Sequence, residues 1–244
     1  MKKNGQKSKI LQHALLQDRE CLERVAVKII AFDTSSIACS VALLNGEDIL
    51  SINKISPKQQ TKFILPMIKE LLDASSITLT QLDAIAYGCG PGSFTGIRIA
   101  SSVAQGLGLA AGLPIIPVSS LAALAQTAYL NDRWGNLLVA VDARGNQIYF
   151  AVYQVNSVGL VELVGKEKIL TFDEEWIPAE GNWYGVGDGW CRYENTLSVE
   201  RKLQLTAINS SLYSSAHAIL KLAENKFAQR LWVEASQASP YYLR

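Results

Sequence analysis

Two aspartates close apolar segments that share a pattern. Asp33 ends the run VKIIAFD and Asp142 ends the run NLLVAVD, and in both runs an alanine lies two residues before the aspartate. Open α/β sheets bind ligands beyond the carboxyl ends of their strands, where a carboxylate can hold a magnesium ion through water or orient a nucleotide. Aspartate also accepts backbone hydrogen bonds within its own turn. The residue types leave both roles open.

A glycine-rich turn, Gly88 to Ser93, precedes a segment of small residues that we predict to be a helix. Amide groups at such a helix N-terminus suit an anion, and Ser93 or Thr95 can cap the helix. No lysine follows the glycines as in a Walker loop, and their spacing does not fit the dinucleotide fingerprint. The turn after Asp33 also lacks the glycine that lets a backbone approach a phosphate. A purely structural turn is therefore the alternative to an anion site.

Together these residues form a candidate vestigial nucleotide or anion site. Its members are Asp33, Thr34, Ser35, Gly90, Gly92, Ser93, Thr95 and Asp142. No catalytic set accompanies them, because His13 and His217 are far apart in sequence and the four cysteines show no paired spacing. We predict no metal site, reduced cysteines and no cofactor that this chain requires, with weak binding of ATP and magnesium left open.

The two aspartates belong to an internal repeat. Each is followed by a second β-rich run (CSVALL and YFAVYQ), then by turn signals at 45–46 and 156–159, and then by a third strand. Helices are predicted over 61–74, 95–112, 119–128 and 214–228, with a loop-rich region at 172–193. Strands alternating with helices indicate an α/β fold, and the duplication suggests two similar lobes facing each other across a cleft.

The predicted boundaries follow from this pattern. Residues 1–26 are polar and form an N-terminal extension that we predict to be loosely ordered. Residues 27–130 form an N-terminal lobe, and residues 131–244 form a smaller C-terminal lobe and tail. The chain has 244 residues and a net charge of +1, which gives no sign of autonomous binding to nucleic acid or to a membrane surface. It lacks a signal peptide and a membrane-spanning run, so we predict a cytoplasmic protein.

The two helices around the glycine turn have unusual surfaces. Apolar side chains cover roughly 200° of the 61–74 helix, which is wider than the stripe of an ordinary surface helix. In the following helix, Ala100, Ala104 and Gly108 recur every four residues and form one ridge of small residues. Such a ridge allows another backbone to approach closely. The excess apolar surface must be buried either by the same chain or by a partner.

Several segments resemble the TsaB (YeaZ) family of bacterial tRNA threonylcarbamoyladenosine synthesis. They are IIAFDTSSIACSVALL, ILPMIKELL, AYGCGPGSFTGIRIASSVAQGLG, PVSSLAALAQ, VDARGNQIYFAVY and the terminal PYYLR. The resemblance runs from about residue 27 to residue 244 and is weakest over 172–212. It implies the duplicated actin-like, sugar-kinase-like fold (ASKHA, RNase H-like) with a reduced second lobe.

The resemblance also implies a function. TsaB proteins are non-catalytic partners of TsaD, which places threonylcarbamoyl on N6 of adenosine 37 in tRNAs that read codons beginning with A. In TsaD two histidines bind a metal, and the matching positions here are Ser120 and Leu124, which cannot replace imidazole ligands. A catalytically silent scaffold or activator subunit is therefore implied.

The implied contact with TsaD uses the first two helices of the N-terminal lobe. The candidate interface residues are Ile64, Met67, Ile68, Leu71, Ile97, Ser101, Ala104 and Gly108. The same surface can support a homodimer when TsaD is absent, the ATPase TsaE docks onto the TsaB–TsaD pair, and tRNA is reached only through the complex. Two other functions compete with this one: an ATP-binding or ATP-hydrolysing enzyme of the actin-like and kinase class, and a peptidase, for which no nucleophile or metal constellation is present.

Overall fold

The computed structural model describes residues 26–171, 181–193 and 205–243. In this part of the chain the strands are β1 (Lys28–Asp33), β2 (Ala38–Asn45), β3 (Asp48–Ile55), β4 (Ala84–Gly90), β5 (Ile115–Ser119), β6 (Asn136–Arg144), β7 (Gln147–Val155), β8 (Val161–Thr171), β9 (Trp183–Val186) and β10 (Leu205–Asn209). The α-helices are α1 (Gln60–Ala74), α2 (Phe94–Ala111), α3 (Ser120–Asp132), α4 (Trp190–Tyr193) and α5 (Ala216–Ala228). Short 3-10 helices span Leu79–Gln81 and Ala235–Gln237. All but one residue of the predicted N-terminal extension lie outside the described residues.

The two sheets have the same strand order. The first is arranged β3-β2-β1-β4-β5 and the second β8-β7-β6-β9-β10. In each sheet the first three strands form an antiparallel meander, and the last two join it in parallel. The predicted duplication is therefore confirmed, and it extends beyond the meanders to the two parallel strands of each sheet. This repeated arrangement agrees with the duplicated two-lobe fold that the sequence resemblance implies.

Local sequence explains where the main elements begin and turn. Strand β1 is buried on both faces after its first residue, as its nearly continuous apolar run requires. Gly46 adopts a positive φ of 67° in the β2–β3 turn. Helices α2, α3 and α5 each begin after a serine, Ser93, Ser119 and Ser215, whose hydroxyl oxygen accepts a hydrogen bond from a first-turn amide.

The buried apolar side chains of the described residues form three cores. One core joins α1 and α2 to the outer face of the first sheet. A second fills the space between the sheets, where α3 contacts both sheets and α5 packs beside α3 on the first sheet. The third covers the far face of the second sheet and includes the fully buried side chain of Trp190. In the described part of the chain, no helix has both the length and the apolar character needed to cross a lipid bilayer.

The end of the chain departs from the predicted division into lobes. After β10 the chain returns to the first sheet: α5 packs against β1, β2, β4 and β5, and Val233 forms an antiparallel bridge with Ile115 of β5. The second lobe therefore ends near β10 rather than at the end of the chain. The region predicted to be loop-rich also contains β9 and α4, and its residues 172–180 lie outside the described residues.

Candidate functional site

A cleft of about 510 Å³ lies between the two lobes. The turn after β1, the N-terminal ends of α1 and α2, and the end of β6 all contribute to its walls. Residues with polar side chains on these walls are Ser35, Ser36, Lys58, Gln60, Thr61, Ser93, Thr95, Ser120, Asp142, Arg144, Asp188, Tyr213 and Ser214. Their charged members comprise two basic and two acidic side chains, so the cleft has no formal excess of positive charge for an anion.

Five of the eight predicted site residues meet in this cleft. They are Ser35, Gly92, Ser93, Thr95 and Asp142. The other three, Asp33, Thr34 and Gly90, do not line it. For these three the sequence-based prediction is wrong, because each is enclosed by the packing of the first lobe.

Asp33 is an internal residue with an exposed fraction of 1%. Its Oδ1 accepts a hydrogen bond from the Ser35 amide at 2.6 Å, and its Oδ2 accepts hydrogen bonds from the hydroxyls of Ser35 and Ser214. Burial raises the pKa of this carboxyl above its ordinary value, although the hydrogen bonds from Ser214 and Ser35 oppose the rise. The carboxyl therefore ties the β1–β2 turn to the segment that precedes α5.

The glycine turn is packed against the β1–β2 turn. The Ser93 amide donates to the Ser35 carbonyl at 2.7 Å, and the Thr34 hydroxyl donates to the Gly96 carbonyl at 2.7 Å. A Cβ at Gly96 would overlap the Thr34 carbonyl oxygen, and a Cβ at Gly92 would lie 2.7 Å from the Ser35 carbonyl oxygen. These glycines permit two backbone segments to touch. One amide that an anion would need is already used inside the chain.

The second lobe provides the carboxylates of the cleft. Asp142 is exposed, and its Oδ1 accepts from the Arg144 amide at 3.0 Å. Asp188 is half-buried, and its Oδ1 accepts from the Asp142 amide at 3.0 Å. Burial raises the pKa of Asp188, and the nearby negative charge of Asp142 adds to the rise. The two aspartates of the repeat thus have different settings, one internal and one facing the cleft.

Sequence reasoning missed Asp188, yet a signal for it is present. YGCGPG at 87–92, which begins in β4, corresponds to YGVGDG at 184–189, which begins in β9. Because β4 and β9 occupy equivalent places in the two sheets, the second glycine turn marks the same end of the second sheet. Comparing the glycine turns of the two halves would have predicted a side chain facing the cleft at this position.

The buried thiols of the first lobe are poor nucleophiles. Burial raises the pKa of Cys39 to about 11 and that of Cys89 to about 12. Few thiolates form at neutral pH when the pKa is this high. Among the described residues, no group of three or more His, Cys, Asp or Glu side chains is arranged to hold a metal ion.

All eight predicted interface residues face the interior of the first lobe. Ile64, Met67, Ile68 and Leu71 of α1 are buried, and so are Ile97, Ser101, Ala104 and Gly108 of α2. A Cβ at Gly108 would lie 2.6 Å from a methyl group of Ile115 and 3.0 Å from the Cβ of Ala235. The predicted ridge of small residues therefore accommodates the chain's own strand β5 and C-terminal segment, and this choice of interface residues is wrong.

The exposed side of α2 carries a different ridge. Phe94, Arg98, Ser102, Gly106 and Ala110 recur every four residues and are all exposed; we call them the outer ridge. A Cβ built on Gly106 would have no atom within 4 Å apart from the helix's own adjacent backbone. Large apolar side chains are exposed around the outer ridge, with exposed fractions of 51% for Leu65, 59% for Phe94 and 68% for Leu109.

The sequence model of TsaD, tRNA N6-adenosine threonylcarbamoyltransferase, matches residues 52–179. The tRNA threonylcarbamoyladenosine biosynthesis protein TsaB of Escherichia coli (strain K12) is 39% identical over 223 residues, which cover 89% of this chain and 95% of that protein. The chain belongs to the TsaB family. The TsaB protein of Haemophilus influenzae is 36% identical over 225 residues, covering 88% of this chain and 93% of that protein.

A solved structure agrees with this TsaB-family assignment. YeaZ from Pseudomonas aeruginosa superposes with a TM-score of 0.84 at 39% identity, covering 89% of this chain and 100% of that chain. The duplicated two-sheet fold is therefore shared with a structurally known relative. In this TsaB-family chain the TsaD match includes α1, α2, α3 and the cleft residue Asp142.

Proposed function

We propose that this chain is the non-catalytic subunit of a tRNA-modifying transferase. Its partner is a TsaD-family protein that places threonylcarbamoyl on N6 of adenosine 37 in tRNAs reading codons that begin with A. The observation that carries the proposal is the 39% identity to Escherichia coli TsaB over 95% of that protein's length. The match of the TsaD model to residues 52–179 supports common descent from a transferase-like ancestor.

Side chains in the cleft and next to it support a subunit without chemistry of its own. Both carboxylate oxygens of Asp33 accept hydrogen bonds from within the chain, donated by Ser35 and Ser214. The resemblance to TsaD aligns Ser120 and Leu124 with its two metal-binding histidines. Here the Ser120 Oγ accepts a hydrogen bond from the Gly90 amide at 3.1 Å, and the Leu124 side chain is 3% exposed. Neither side chain provides an imidazole nitrogen for a metal.

The exposed faces of α1 and α2 are the proposed contact surface for the TsaD-family partner. Exposed apolar side chains flank the outer ridge, and Ser102 and Gly106 at its centre let a partner helix approach closely. Two shallow grooves of about 370 and 330 Å³ lie on the same side of the first lobe, one beside Arg98 and one beside Leu72. Apolar side chains of a partner would fill them.

Further partners follow from the same assignment. We propose that TsaE binds the assembled pair, that tRNA is contacted only through the complex, and that a second copy of this chain occupies the helix surface when the TsaD-family protein is absent. Size measurements in solution, made with and without the TsaD-family protein, test the exchange between homodimer and heterodimer. A homodimer that persists in full beside bound TsaD-family protein would contradict a shared surface.

Reconstitution tests the proposed function directly. The TsaD-family protein encoded in the same genome is purified, supplied with a threonylcarbamoyl donor and unmodified tRNA, and assayed with and without this chain. We expect modified adenosine at position 37 only when both proteins are present, measured by mass spectrometry of tRNA digests. Modification at an undiminished rate without this chain would contradict the proposal.

A matched pair of variants tests the contact surface. Gly106→Leu places a bulky side chain on the outer ridge, and Ala228→Leu makes a similar change at an exposed position of α5. We expect Gly106→Leu to weaken association about tenfold or more, because a partner helix can no longer approach closely, and Ala228→Leu to leave it unchanged. Calorimetric titration measures both. Equal affinities for the two variants would remove the outer ridge from the interface.

The cleft itself favours one second candidate, an ATP-binding enzyme. It has about 510 Å³ of space, and Asp142 and Asp188 lie on one wall. Magnesium-dependent ATP hydrolysis by the purified chain, abolished by Asp142→Ala and kept by the partner-surface variant Gly106→Leu, would support that function. A hydrolysis rate at the background level would dismiss it.

A further inference from the structure

The C-terminal segment 233–243, which we call the tail, runs along α2. The Ala238 carbonyl accepts hydrogen bonds from the Ser101 hydroxyl at 3.2 Å and from the Gln105 side-chain amide at 2.6 Å. The Ser239 carbonyl accepts from the Tyr87 hydroxyl at 2.9 Å, and the Tyr241 amide donates to the Cys89 carbonyl at 2.8 Å. The tail is therefore fixed to the side of α2 and to the glycine turn.

The end of the tail holds one arginine of the outer ridge in place. The Arg98 Nε donates a hydrogen bond to the Tyr242 hydroxyl at 2.9 Å. The guanidinium carbon also lies 3.5 Å from the centroid of the Phe94 ring and 5.9 Å from that of the Tyr242 ring. Two aromatic side chains, one from α2 and one from the tail, thus restrict a side chain that would otherwise sample many rotamers.

In the described part of the chain, Arg98 has no acidic partner. It is the only charged residue of α2, and among the described residues no carboxylate forms an ion pair with it. Nor do its two Nη groups have a hydrogen-bond acceptor in this part of the chain. A guanidinium that is already oriented loses little further entropy when it binds a carboxylate in a two-pronged contact.

We propose that the tail and the outer ridge form one docking surface, on which Arg98 binds a carboxylate of the TsaD-family partner. This inference rests on the proposed function and adds the tail and a charged contact to it. Exposed tyrosine and arginine are the side chains that dominate binding energy in protein interfaces. Tyr242 is 42% exposed beside Phe94 at 59%.

The neighbouring groove agrees with a protein partner of this kind. Phe94, Ile99 and Val103 provide its apolar lining, and Arg98 stands at its edge. An apolar side chain of the partner in the groove would bring a nearby carboxylate within reach of Arg98. A second copy of this chain has no carboxylate on α2, and on α1 it has Glu70 and Asp73, of which Asp73 already pairs with Lys69. The measurement of self-association below separates that occupant from the TsaD-family partner.

The test compares two arginines that both lie over aromatic rings. Arg98→Gln removes the proposed contact, and Arg133→Gln makes the same change where an exposed arginine lies 5.2 Å from the Tyr129 ring, at the C-terminal end of α3. We expect Arg98→Gln to weaken binding of the TsaD-family protein about tenfold or more, and Arg133→Gln to leave it unchanged. Calorimetric titration at two salt concentrations measures both. The affinity of the wild type should fall with salt more steeply than that of Arg98→Gln.

Tyr242→Phe tests the contribution of the tail separately from folding. This variant keeps the ring and removes the hydroxyl that accepts from Arg98, so we expect a smaller loss of affinity and an unchanged melting temperature. If wild-type protein does not bind the TsaD-family protein, the proposed function fails. If it binds and Arg98→Gln binds equally well, only the present inference fails. It also fails if Arg98→Gln disturbs self-association alone, since the surface then belongs to a second copy.

Discussion

The carboxyl group of Asp33 is surrounded by hydroxyl and amide donors inside the first lobe. Among the described residues its hydrogen bonds come from Ser35 and Ser214, and none comes from a lysine or arginine. The ionised form therefore loses solvation without gaining a counter-ion, which is why its pKa lies above the ordinary value. Its role is to join the β1–β2 turn to the segment before α5.

This setting predicts how stability depends on pH. A carboxyl whose pKa is higher in the folded than in the unfolded state contributes most to stability below its unfolded pKa, and the contribution is lost as pH rises through the folded pKa. Relative to Asp33→Asn, we expect the free energy of unfolding of the wild type to fall as pH rises from about 4 to 8. Urea unfolding across this range measures it, and parallel pH profiles would contradict the prediction.

Asp33→Ala should lower the free energy of unfolding by about 1–3 kcal/mol, because it leaves the Ser35 amide without its acceptor.

At the scale of elements, the first turn of α2 is where two backbone segments meet. Gly96 touches the turn after β1, whereas Gly106, ten residues further along the same helix, touches nothing. The two glycines therefore serve different purposes. Gly96 allows close packing within the lobe. Gly106 lowers the stability of the helix but leaves the outer ridge without a protruding side chain.

Replacing each glycine by alanine separates these purposes. Gly96→Ala would push its Cβ into the Thr34 carbonyl, so we expect a loss of several kcal/mol or failure to fold. Gly106→Ala should stabilise the protein by about 0.5–1 kcal/mol, because alanine favours the helix and meets no obstacle. Chemical denaturation of both variants measures the difference. A similar effect at the two positions would show that the packing at Gly96 is not rigid.

The helix α2 also shows what sequence can and cannot predict. Its extent was predicted to within one residue at each end, because the Ser93 cap and Gly112 mark the limits. The sequence did not predict which face of α2 is buried, because small residues recur every four positions on two of its sides. Those on the buried side are Ala100, Ala104 and Gly108, and those on the exposed side are Ser102, Gly106 and Ala110. A helix with so few large side chains carries little information about which ridge is buried. The order of the neighbouring strands and the path of the tail decide it.

At the scale of the whole molecule, the two lobes share one layer. Helix α3 contacts both sheets, and Leu121 and Leu124 of this helix belong to the same core as Ile29 of the first sheet and Leu137 of the second. The repeated meanders were readable from sequence, since alternation and turn signals are local. The shared layer of helices could not be predicted from sequence, because α5 is distant in sequence from the strands that it covers.

A shared core predicts a single unfolding transition. Leu121→Ala removes a fully buried side chain between the lobes, and we expect a loss of about 2–5 kcal/mol. Tryptophan fluorescence, to which Trp183 and Trp190 of the second lobe contribute, and far-ultraviolet circular dichroism should give the same midpoint in the wild type and in the variant. Separate midpoints would show that the lobes unfold independently.

The return of α5 to the first sheet has a consequence for synthesis on the ribosome. The strands β1, β2, β4 and β5 are all translated before residue 120, yet one face of this sheet is covered by a helix at 216–228 and one edge by a bridge to Val233. While the second lobe is being translated, Ala31 and Ile116 do not yet have the side chains of α5 packed against them. The nascent first lobe therefore exposes apolar surface until almost the whole chain has emerged, which makes it the stage most in need of chaperone protection.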